Sequence, residues 1–356
     1  MIRVGYVPYS QDLQHPADRR RLATWAIAKG ISLNVDNPLD SDVLVLSNAA
    51  NFGYWLKRAQ QPVILDLVDG YLGEKPSFLR DLLRNTIRSF RGTSSLGWIT
   101  YTRHLKSACA LSSAIIVASP EQRDLVLPFN SKVYVILDDH SELETKSGLS
   151  DSLDIPEISK TDFIFWEGFG YTLKHFRVLS EVLDKALFEN NWGMYLLTVK
   201  SFPRWGGYIG KVSTQKLIKK WFPLSSNSIQ IIPWSIKNLI TYSRQSKFAI
   251  IPINGNDKFA ISKSENKLLS SWMLGLTTFY SDIPSYKRVG ELTQTTSMCV
   301  DALSWQESLA NIMTPDDYRK KFPISINEYL IKTHSHDLLV EQWDELIAQS
   351  LKENCV

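Results

Sequence analysis

Short runs of apolar and β-branched residues alternate with helix-period segments in the N-terminal part of the chain. The runs that read as strands are Arg3 to Val7, Val43 to Leu46, Val63 to Leu67, Ala114 to Ala118 and Val133 to Leu137. Strands spaced in this way, with helices between most of them, are typical of parallel βαβ units. The pattern predicts an α/β domain over residues 1–145.

A polar stretch, residues 146–161, interrupts this alternation. It carries Gly148 and Pro156 among serines and acidic residues with little periodicity, which favours a linker. The alternation then restarts and predicts a second α/β domain over residues 162–333. Its predicted strands are Phe163 to Trp166, Met194 to Val199, Ser228 to Ile232, Phe248 to Ile251 and Thr277 to Tyr280, and its predicted helices are Leu173 to Leu187, Thr214 to Trp221, Ile236 to Arg244 and Asn266 to Leu274.

The C-terminal segment, residues 334–356, has helical periodicity. The apolar residues on one face are Leu338, Leu339, Trp343, Leu346 and Ile347. We expect a helix that closes over the domains by packing on one or both of them. Ligands of open parallel sheets bind beyond the carboxyl ends of the strands, so a site is expected at strand-to-helix junctions, where two such domains face each other across a cleft.

The composition narrows the class of protein. With 356 residues, 44% apolar and 22% charged, the chain is globular, and collagen-like, coiled-coil and disordered classes are excluded. A net charge of +3 is too near neutral for a general nucleic-acid binder, so we expect no nucleic-acid partner. Scattered cysteines and the lack of any signal-like or membrane-spanning run predict a cytoplasmic protein.

Several cofactor and metal motifs are incomplete. Gly168-Phe169-Gly170 has Leu173 where a dinucleotide fingerprint needs its third glycine, and Gly206 to Lys211 lacks the first glycine of a P-loop. Asp40-Ser41-Asp42 precedes its strand and lies at the wrong edge of the sheet for a substrate metal, and His334 to Asp337 has no third ligand nearby. We expect neither a cofactor nor a metal site.

The most informative segment runs from Phe248 to Arg288. After a predicted buried strand and a polar loop, the run Lys263-Ser264-Glu265-Asn266-Lys267 opens a helix that ends near Gly275. A helix N-terminus carries unpaired N–H groups and the positive end of the helix dipole, so this turn with its two lysines suits a diphosphate. The alternative is a solvated basic cap on an ordinary helix.

Residues 263–284, KSENKLLSSWMLGLTTFYSDIP, resemble the donor-site signature of the group 1 glycosyltransferases, which often read S-P-N-K-L-x-E-Y-M-A-x-G-x-P-V-V-A-S. The matching positions are Ser264, Asn266, Lys267, Leu268, Met273, Gly275 and Ser281. The resemblance implies the GT-B fold, with two Rossmann-like domains and the sugar nucleotide bound mainly by the second. It also implies that backbone N–H groups of Ser264, Glu265 and Asn266 cradle the distal phosphate of the donor. Ser270 stands where the family has a glutamate that bonds the donor ribose, so a bidentate carboxylate grip is lost.

Two other stretches agree with the resemblance in part. Gly168 and Lys174 keep the family's spacing between a glycine-rich turn and a lysine that neutralises the leaving diphosphate, while Phe169 stands where an arginine is frequent. Lys263, Lys267 or Arg204 are candidates to replace that cation. Trp234 lies in a stretch that resembles the lining of the nucleobase pocket, where it either contacts the base or is a half-buried turn residue.

The family places its acceptor mostly in the cleft of the first domain. The candidates at strand ends and in the loops beyond them are His15, Asp69 and His140. Asp69 or His140 has a group able to take a proton from an acceptor hydroxyl, although loop and capping roles are ordinary for Asp and His. No base is assigned from these residues.

The segment from Phe78 to Lys106 has six basic residues and one acidic residue, Asp81. Arg80, Arg84 and Arg88 recur every four residues, while Leu79, Leu83, Ile87 and Phe90 form the other face of a predicted basic amphipathic helix. Two interpretations stay open: peripheral contact of the arginines with anionic lipid at the inner face of the membrane, or a domain helix with a solvated basic face.

These observations predict a hexosyl-type glycosyltransferase that moves a sugar from a nucleotide-sugar co-substrate to a hydroxyl of a glycan or lipid-linked acceptor, as in polysaccharide biosynthesis. Lys174 and Lys267 are the expected catalytic cations, stabilising the departing diphosphate without an obligatory metal. The resemblance implies retention of anomeric configuration. The alternatives are a non-catalytic binding or scaffold protein of the same fold, which Ser270 and Phe169 make plausible, and a nucleotide-sugar epimerase.

Overall fold

The computed structural model describes residues 2–73, 77–92, 94, 100–143, 162–203, 210–295, 297–310 and 324–353. The predicted linker, residues 146–161, and Arg204 lie outside these residues. Internal contacts divide the chain into two units. The first comprises Met1–His140, Ser262–Ser264 and Ile331–Val356, and the second comprises Ser141–Ile261 and Glu265–Leu330.

The first unit contains a five-stranded parallel sheet in the order β1-β2-β3-β4-β5. Its strands are β1 (Val4–Val7), β2 (Val43–Ser47), β3 (Val63–Leu67), β4 (Ala114–Val117) and β5 (Val133–Val135). Strand β2 shows why the sheet is buried on both faces: Val43 and Val45 enter one core cluster, and Leu44 and Leu46 enter the other. Apolar residues at every position of a strand are typical of a parallel sheet covered by helices on both faces.

The helices of the first unit are α1 (Pro16–Arg19), α2 (Leu22–Ala28), α3 (Phe52–Trp55), α4 (Phe78–Phe90), α5 (Tyr101–Leu111) and α6 (Pro120–Val126). Polar residues fix where several of them begin: the side chains of Ser77, Thr100 and Ser119 accept hydrogen bonds from first-turn amides of α4, α5 and α6. Such caps satisfy amides that have no partner within the helix.

The second unit contains a six-stranded parallel sheet in the order β10-β7-β6-β11-β12-β13 and an antiparallel pair, β8-β9. Its strands are β6 (Phe163–Glu167), β7 (Gly193–Leu197), β8 (Ser201–Pro203), β9 (Lys211–Ser213), β10 (Ile229–Ile232), β11 (Ala249–Ile251), β12 (Thr278–Ser281) and β13 (Met298–Cys299). Both parallel sheets carry helices, so the predicted α/β class with two Rossmann-like domains is confirmed.

The α-helices of the second unit are α7 (Ser180–Glu189), α8 (Thr214–Trp221), α9 (Ile236–Gln245), α10 (Lys258–Ile261), α11 (Asn266–Met273), α12 (Pro284–Leu292), α13 (Ala302–Ala310) and α14 (Ile324–His334), in which the division between units falls. The prediction of one helix from Leu173 to Leu187 is wrong. A 3₁₀ helix, Gly170–Val178, precedes α7, and Leu179 between them has φ −121° and ψ 2°. No glycine or proline marks this break, so the sequence carries no local signal of it.

The last helix, α15 (His336–Glu353), packs on the first unit. Trp343, Leu346 and Ile347 enter a core cluster of that unit. The indole Nε1 of Trp25 in α2 donates to Asp344 Oδ1 at 2.8 Å, and Lys29 Nζ lies 2.7 Å from Asp344 Oδ2. The apolar stripe expected from the sequence is therefore the packing face of this helix.

Helix α4 is oriented differently from the sequence expectation. Its polar side faces the protein: Asp81 and Asn85 are buried, and Arg88 Nη2 donates to the backbone oxygen of Asn48 at 2.6 Å. The guanidinium groups of Arg84 and Arg88 lie 5.5 and 4.8 Å from the Tyr101 ring centroid. The expectation that Arg84 and Arg88 form a solvated basic face is wrong, because buried polar partners and an aromatic ring hold them inward. Among the described residues, no helix is long and apolar enough to cross a bilayer.

Candidate functional site

The first part of the site lies where β6 ends and α11 begins. Lys267, in the first turn of α11, donates from Nζ to the backbone oxygen of Glu167 at 2.9 Å, and Nζ lies 5.1 Å from the Trp166 ring centroid. Gly168 follows directly. A Cβ on Gly168 would lie 2.6 Å from Lys267 Nζ and 2.8 Å from both Trp166 Cη2 and Thr172 Oγ1. Glycine at this position is what admits the ammonium group beside the end of the strand.

At the N-terminus of α11, the side chain of the N-cap residue Glu265 makes no hydrogen bond to the first-turn amides. The Glu265 carboxylate is 1% exposed and turns instead to Arg288, whose Nη2 donates to Oε1 at 2.9 Å, and to the Tyr329 hydroxyl at 3.4 Å. In contrast, Ser213 and Ser235 cap α8 and α9 of the same unit. The side chain of the N-cap residue thus supplies no oxygen to the positive end of α11, and Lys267 lies in the first turn of the same helix.

Lys174 lies on the 3₁₀ helix beyond the end of β6. Its Nζ is 2.5 Å from Asp257 Oδ2, in the loop that follows the adjacent strand β11, and the Lys174 side chain is 58% exposed. Partial burial acts to raise the pKa of the Asp257 carboxyl, but the hydrogen bond and charge of Lys174 outweigh it and lower the pKa. Lys174, the predicted phosphate-binding cation, is therefore paired with Asp257, a residue that the sequence pattern assigns to a polar loop and to no other role.

Phe169 and Tyr171 form an exposed aromatic pair after β6. Their ring centroids are 5.5 Å apart, their planes differ by 6°, and about half of each side chain is exposed. The backbone oxygen of Phe169 accepts from the N–H of Thr172 at 2.9 Å and from its hydroxyl at 2.7 Å, which fixes the turn. Phe169 thus presents a ring, and no charge, at the position where the family often has arginine.

Trp234 lies between β10 and α9 and is partly buried. Its indole Nε1 donates to Glu167 Oε2 at 2.9 Å. Glu167 therefore links two predicted site residues, because its carboxylate binds Trp234 while its backbone oxygen binds Lys267. Glu167 is not among the residues predicted from the sequence, where its one signal is its position as the last residue of a strand that ends in the site.

The three remaining polar candidates near α11 differ in their surroundings. Ser270 is 4% exposed, and its hydroxyl donates to the backbone oxygen of Asn266 at 2.8 Å. Its hydrogen is therefore used inside the helix. Ser264 is buried and groups with the first unit, as does Lys263, whose Nζ lies 4.0 Å from Asp69 Oδ1.

The acceptor-side candidates of the first unit differ in their hydrogen bonds and in the exposure of their side chains. His15 is the N-cap of α1: its Nδ1 accepts from Ala17 N at 3.2 Å, its ring stacks on Tyr9, and burial lowers its pKa. His140 is fully buried at 0% exposure, whereas the side chain of Asp69 is 28% exposed. Of His140 and Asp69, Asp69 is the one whose side chain meets solvent. No cluster of three or more His, Cys, Asp or Glu side chains suited to a metal ion occurs among the described residues.

Comparisons with known proteins identify the fold. No protein-family model matches the sequence, and no curated protein sequence matches it. Among solved structures, HepE of Anabaena in complex with UDP and glucose has a TM-score of 0.60 and 8% identity, covering 98% of this chain and 100% of that one. An α-glucosyltransferase in complex with UDP and a 13-mer DNA has a TM-score of 0.60 and 12% identity, with the same coverage.

TarM of S. aureus is also similar, with a TM-score of 0.57 and 11% identity over 91% of this chain. The present chain spans 57% of the length of TarM. These likenesses, together with the two parallel sheets, show that the chain has the GT-B glycosyltransferase-like fold, as its resemblance to the group 1 enzymes implied.

Proposed function

We propose that this protein is a hexosyl-type glycosyltransferase that moves a sugar from a nucleotide-sugar donor to a hydroxyl of a glycan or lipid-linked acceptor. The observation that carries the proposal is the N-terminus of α11, where the N-cap side chain turns away and Lys267 lies beside the first turn. Backbone amides at a helix N-terminus and a lysine in its first turn suit the diphosphate of such a donor.

The chemistry assigned to these groups is electrostatic. When the bond between the anomeric carbon and the diphosphate breaks, negative charge develops on the diphosphate, and the α11 amides with Lys267 stabilise it. Lys174 adds a second cation after exchanging Asp257 for a phosphate oxygen, which its 58% exposed side chain permits. No step in this scheme uses a metal, and we propose that transfer is metal-independent and retaining.

Uridine donors are the first to test, since structures of the same fold contain UDP or UDP-glucose. On the acceptor side we propose Asp69 as the group that orients the hydroxyl, because His15 is used as a helix cap and His140 is fully buried. A second candidate function is a nucleotide-sugar-binding protein without transfer activity. It is favoured by Ser270, whose hydroxyl is buried and bonded within its own helix.

Titration calorimetry of UDP and UMP with wild type and Lys267→Ala tests the diphosphate assignment. Loss of one charge-assisted contact predicts at least about tenfold weaker UDP binding with a smaller effect on UMP. Lys185→Ala is the matched control, because Lys185 is an exposed lysine on α7 paired only weakly with Glu189 at 3.8 Å. Equal losses for UDP and UMP would contradict the assignment.

Gly168→Ala tests the same contact from the other side, since its Cβ would meet Lys267 Nζ at 2.6 Å. Gly255→Ala is its control, because a Cβ on Gly255 meets nothing within 4 Å. Incubation of a bound UDP-sugar with candidate acceptors, with and without EDTA, then separates transfer from binding alone. Appearance of an epimer without acceptor would identify an epimerase.

A further inference from the structure

Helix α4 is amphipathic with its apolar side turned outward. Phe78, Leu79, Leu83 and Phe90 are 64%, 75%, 48% and 78% exposed. The polar side is anchored: Asp81 Oδ2 accepts from the N–H of Thr102 in α5 at 3.0 Å, and Arg88 binds the backbone of Asn48. Folding therefore fixes an apolar stripe on the surface of the first unit. A folded monomer rarely exposes such a contiguous apolar patch without a partner.

The surroundings of the stripe are basic. Helix α4 packs beside α5, as the Thr102 N–H donating to Asp81 Oδ2 shows, and Asn51 Nδ2, at the start of α3, donates to the backbone oxygen of Gly92 just after α4 at 3.2 Å. Within the described residues 51–62, 77–92 and 100–111, the only carboxylate is Asp81, which is buried. The basic residues of these ranges are Lys57, Arg58, Arg80, Arg84, Arg88, Arg91, Arg103 and Lys106.

We propose that this surface docks the protein on an anionic lipid bilayer, with Phe78, Leu79, Leu83 and Phe90 entering the boundary between headgroups and acyl chains. Exposed arginines at the edge of the stripe, Arg80, Arg91 and Arg103, then face lipid phosphates. An interfacial helix binds by burying apolar area together with attraction to anionic lipid, and both elements are present here. Arg84 and Arg88 have a different part, since they hold the helix to the protein.

The charge pattern favours a bilayer over other occupants. Within the described residues 77–92 and 100–111 the exposed charged side chains, Arg80, Arg91, Arg103 and Lys106, are all basic, so this face repels a second copy of itself, whereas anionic headgroups neutralise it. A nucleic acid would satisfy the arginines and leave four large apolar side chains against a polar backbone. The inference does not depend on the donor site, because no residue of α4 belongs to it.

Flotation with vesicles of phosphatidylcholine, alone and with roughly one third phosphatidylglycerol, tests the proposal. Wild type is expected to float with the anionic vesicles and much less with the neutral ones. The triple variant Leu79→Gln, Leu83→Gln, Phe90→Gln should lower the partition coefficient at least about tenfold, because each side chain loses its apolar burial. Arg80→Gln with Arg91→Gln should lower binding to the anionic vesicles and reduce its dependence on salt.

The matched control replaces three exposed apolar residues elsewhere, Ile27→Gln, Phe188→Gln and Ile331→Gln, which are 81%, 61% and 73% exposed. It should float like wild type. UDP binding is measured on every variant, so a failure of the lipid proposal is separate from a failure of the donor site. The proposal is overturned if wild type does not float with anionic vesicles, or if the α4 triple variant floats as well as wild type. It is also overturned if wild type binds no vesicles but forms a dimer or a complex with duplex DNA that the triple variant does not form.

Discussion

At the scale of single residues, the site depends on where two lysines find their partners. Lys267 donates to a backbone oxygen and lies beside an aromatic ring. Lys174 instead meets the carboxylate of Asp257. The two lysines predicted as cations therefore differ in the partner that each one meets.

We expect Asp257→Asn to strengthen nucleoside-diphosphate binding by several-fold, because it removes the carboxylate that competes with phosphate for Lys174 while keeping an oxygen that accepts from Ala260 N. Calorimetry with UDP measures it. The same change in a Lys174→Met background should have no effect, and a weaker affinity in Asp257→Asn would show that the carboxylate positions the lysine for its ligand.

The Lys174–Asp257 pair also sets a pH dependence. The folded-state pKa of Asp257 lies below its unfolded value, so the pair contributes stability that is present above the unfolded pKa and is lost as pH falls through the folded one. Across neutral pH the pair stays intact. The wild-type stability advantage over Asp257→Asn should therefore be constant near neutrality and shrink only in acid, as followed by chemical denaturation at a series of pH values.

At the scale of elements, the position of the α11 N-terminus depends on a buried ion pair that joins three helices. Glu265, the N-cap of α11, binds Arg288 of α12 and Tyr329 of α14. With the carboxylate only 1% exposed, its negative charge is tolerable because the guanidinium meets it at 2.9 Å. The pair keeps the N-cap side chain of Glu265 away from the first-turn amides of α11.

Removal of one partner should be costly. Arg288→Met leaves a buried carboxylate without its counter-charge, and we expect the free energy of unfolding to fall by about 3 kcal/mol. The double variant Arg288→Met, Glu265→Gln should recover a large part of that loss. Denaturant unfolding of the two variants measures both values. Equal stability of the single and double variants would show that an unpaired buried charge is not the source of the loss.

Elements that depend on local sequence patterns can be predicted from the sequence, whereas features that depend on tertiary contacts cannot. Strands such as β2 and caps such as Ser77, Ser119 and Ser235 depend on local pattern, and the sequence places β2 within one residue. The orientation of α4 does not, because periodicity shows two faces and only tertiary partners such as Asn48 and Tyr101 decide which is buried. The Glu265–Arg288 and Lys174–Asp257 pairs join residues 23 and 83 positions apart, and no local pattern records them.

At the scale of the whole molecule, each unit has its own apolar core and its own buried charge network. In the first unit, Arg21 is fully buried and bonds Asp66 of β3 and Asp138, at 2.7 and 2.8 Å. Burial acts to raise the pKa of the Asp66 carboxyl and prevails over Arg21, which acts to lower it. Because the pKa of Asp66 is raised, keeping its carboxyl ionised in the folded state lowers the stability of the protein at neutral pH. Arg21 acts against this loss, so the network depends on Arg21.

Because each unit has a separate core, calorimetric unfolding should show two transitions, one for each unit. A substitution in the first unit and a ligand of the second should each shift a different transition. Arg21→Met leaves two buried carboxylates without their counter-charge and should lower the transition of the first unit by several degrees. UDP binds only the second unit in the proposed function, so at a hundredfold excess over its dissociation constant it should stabilise the other transition by about 2.7 kcal/mol. A UDP-dependent shift of the transition that Arg21→Met identifies would place the donor on the first unit and contradict the site proposed at α11.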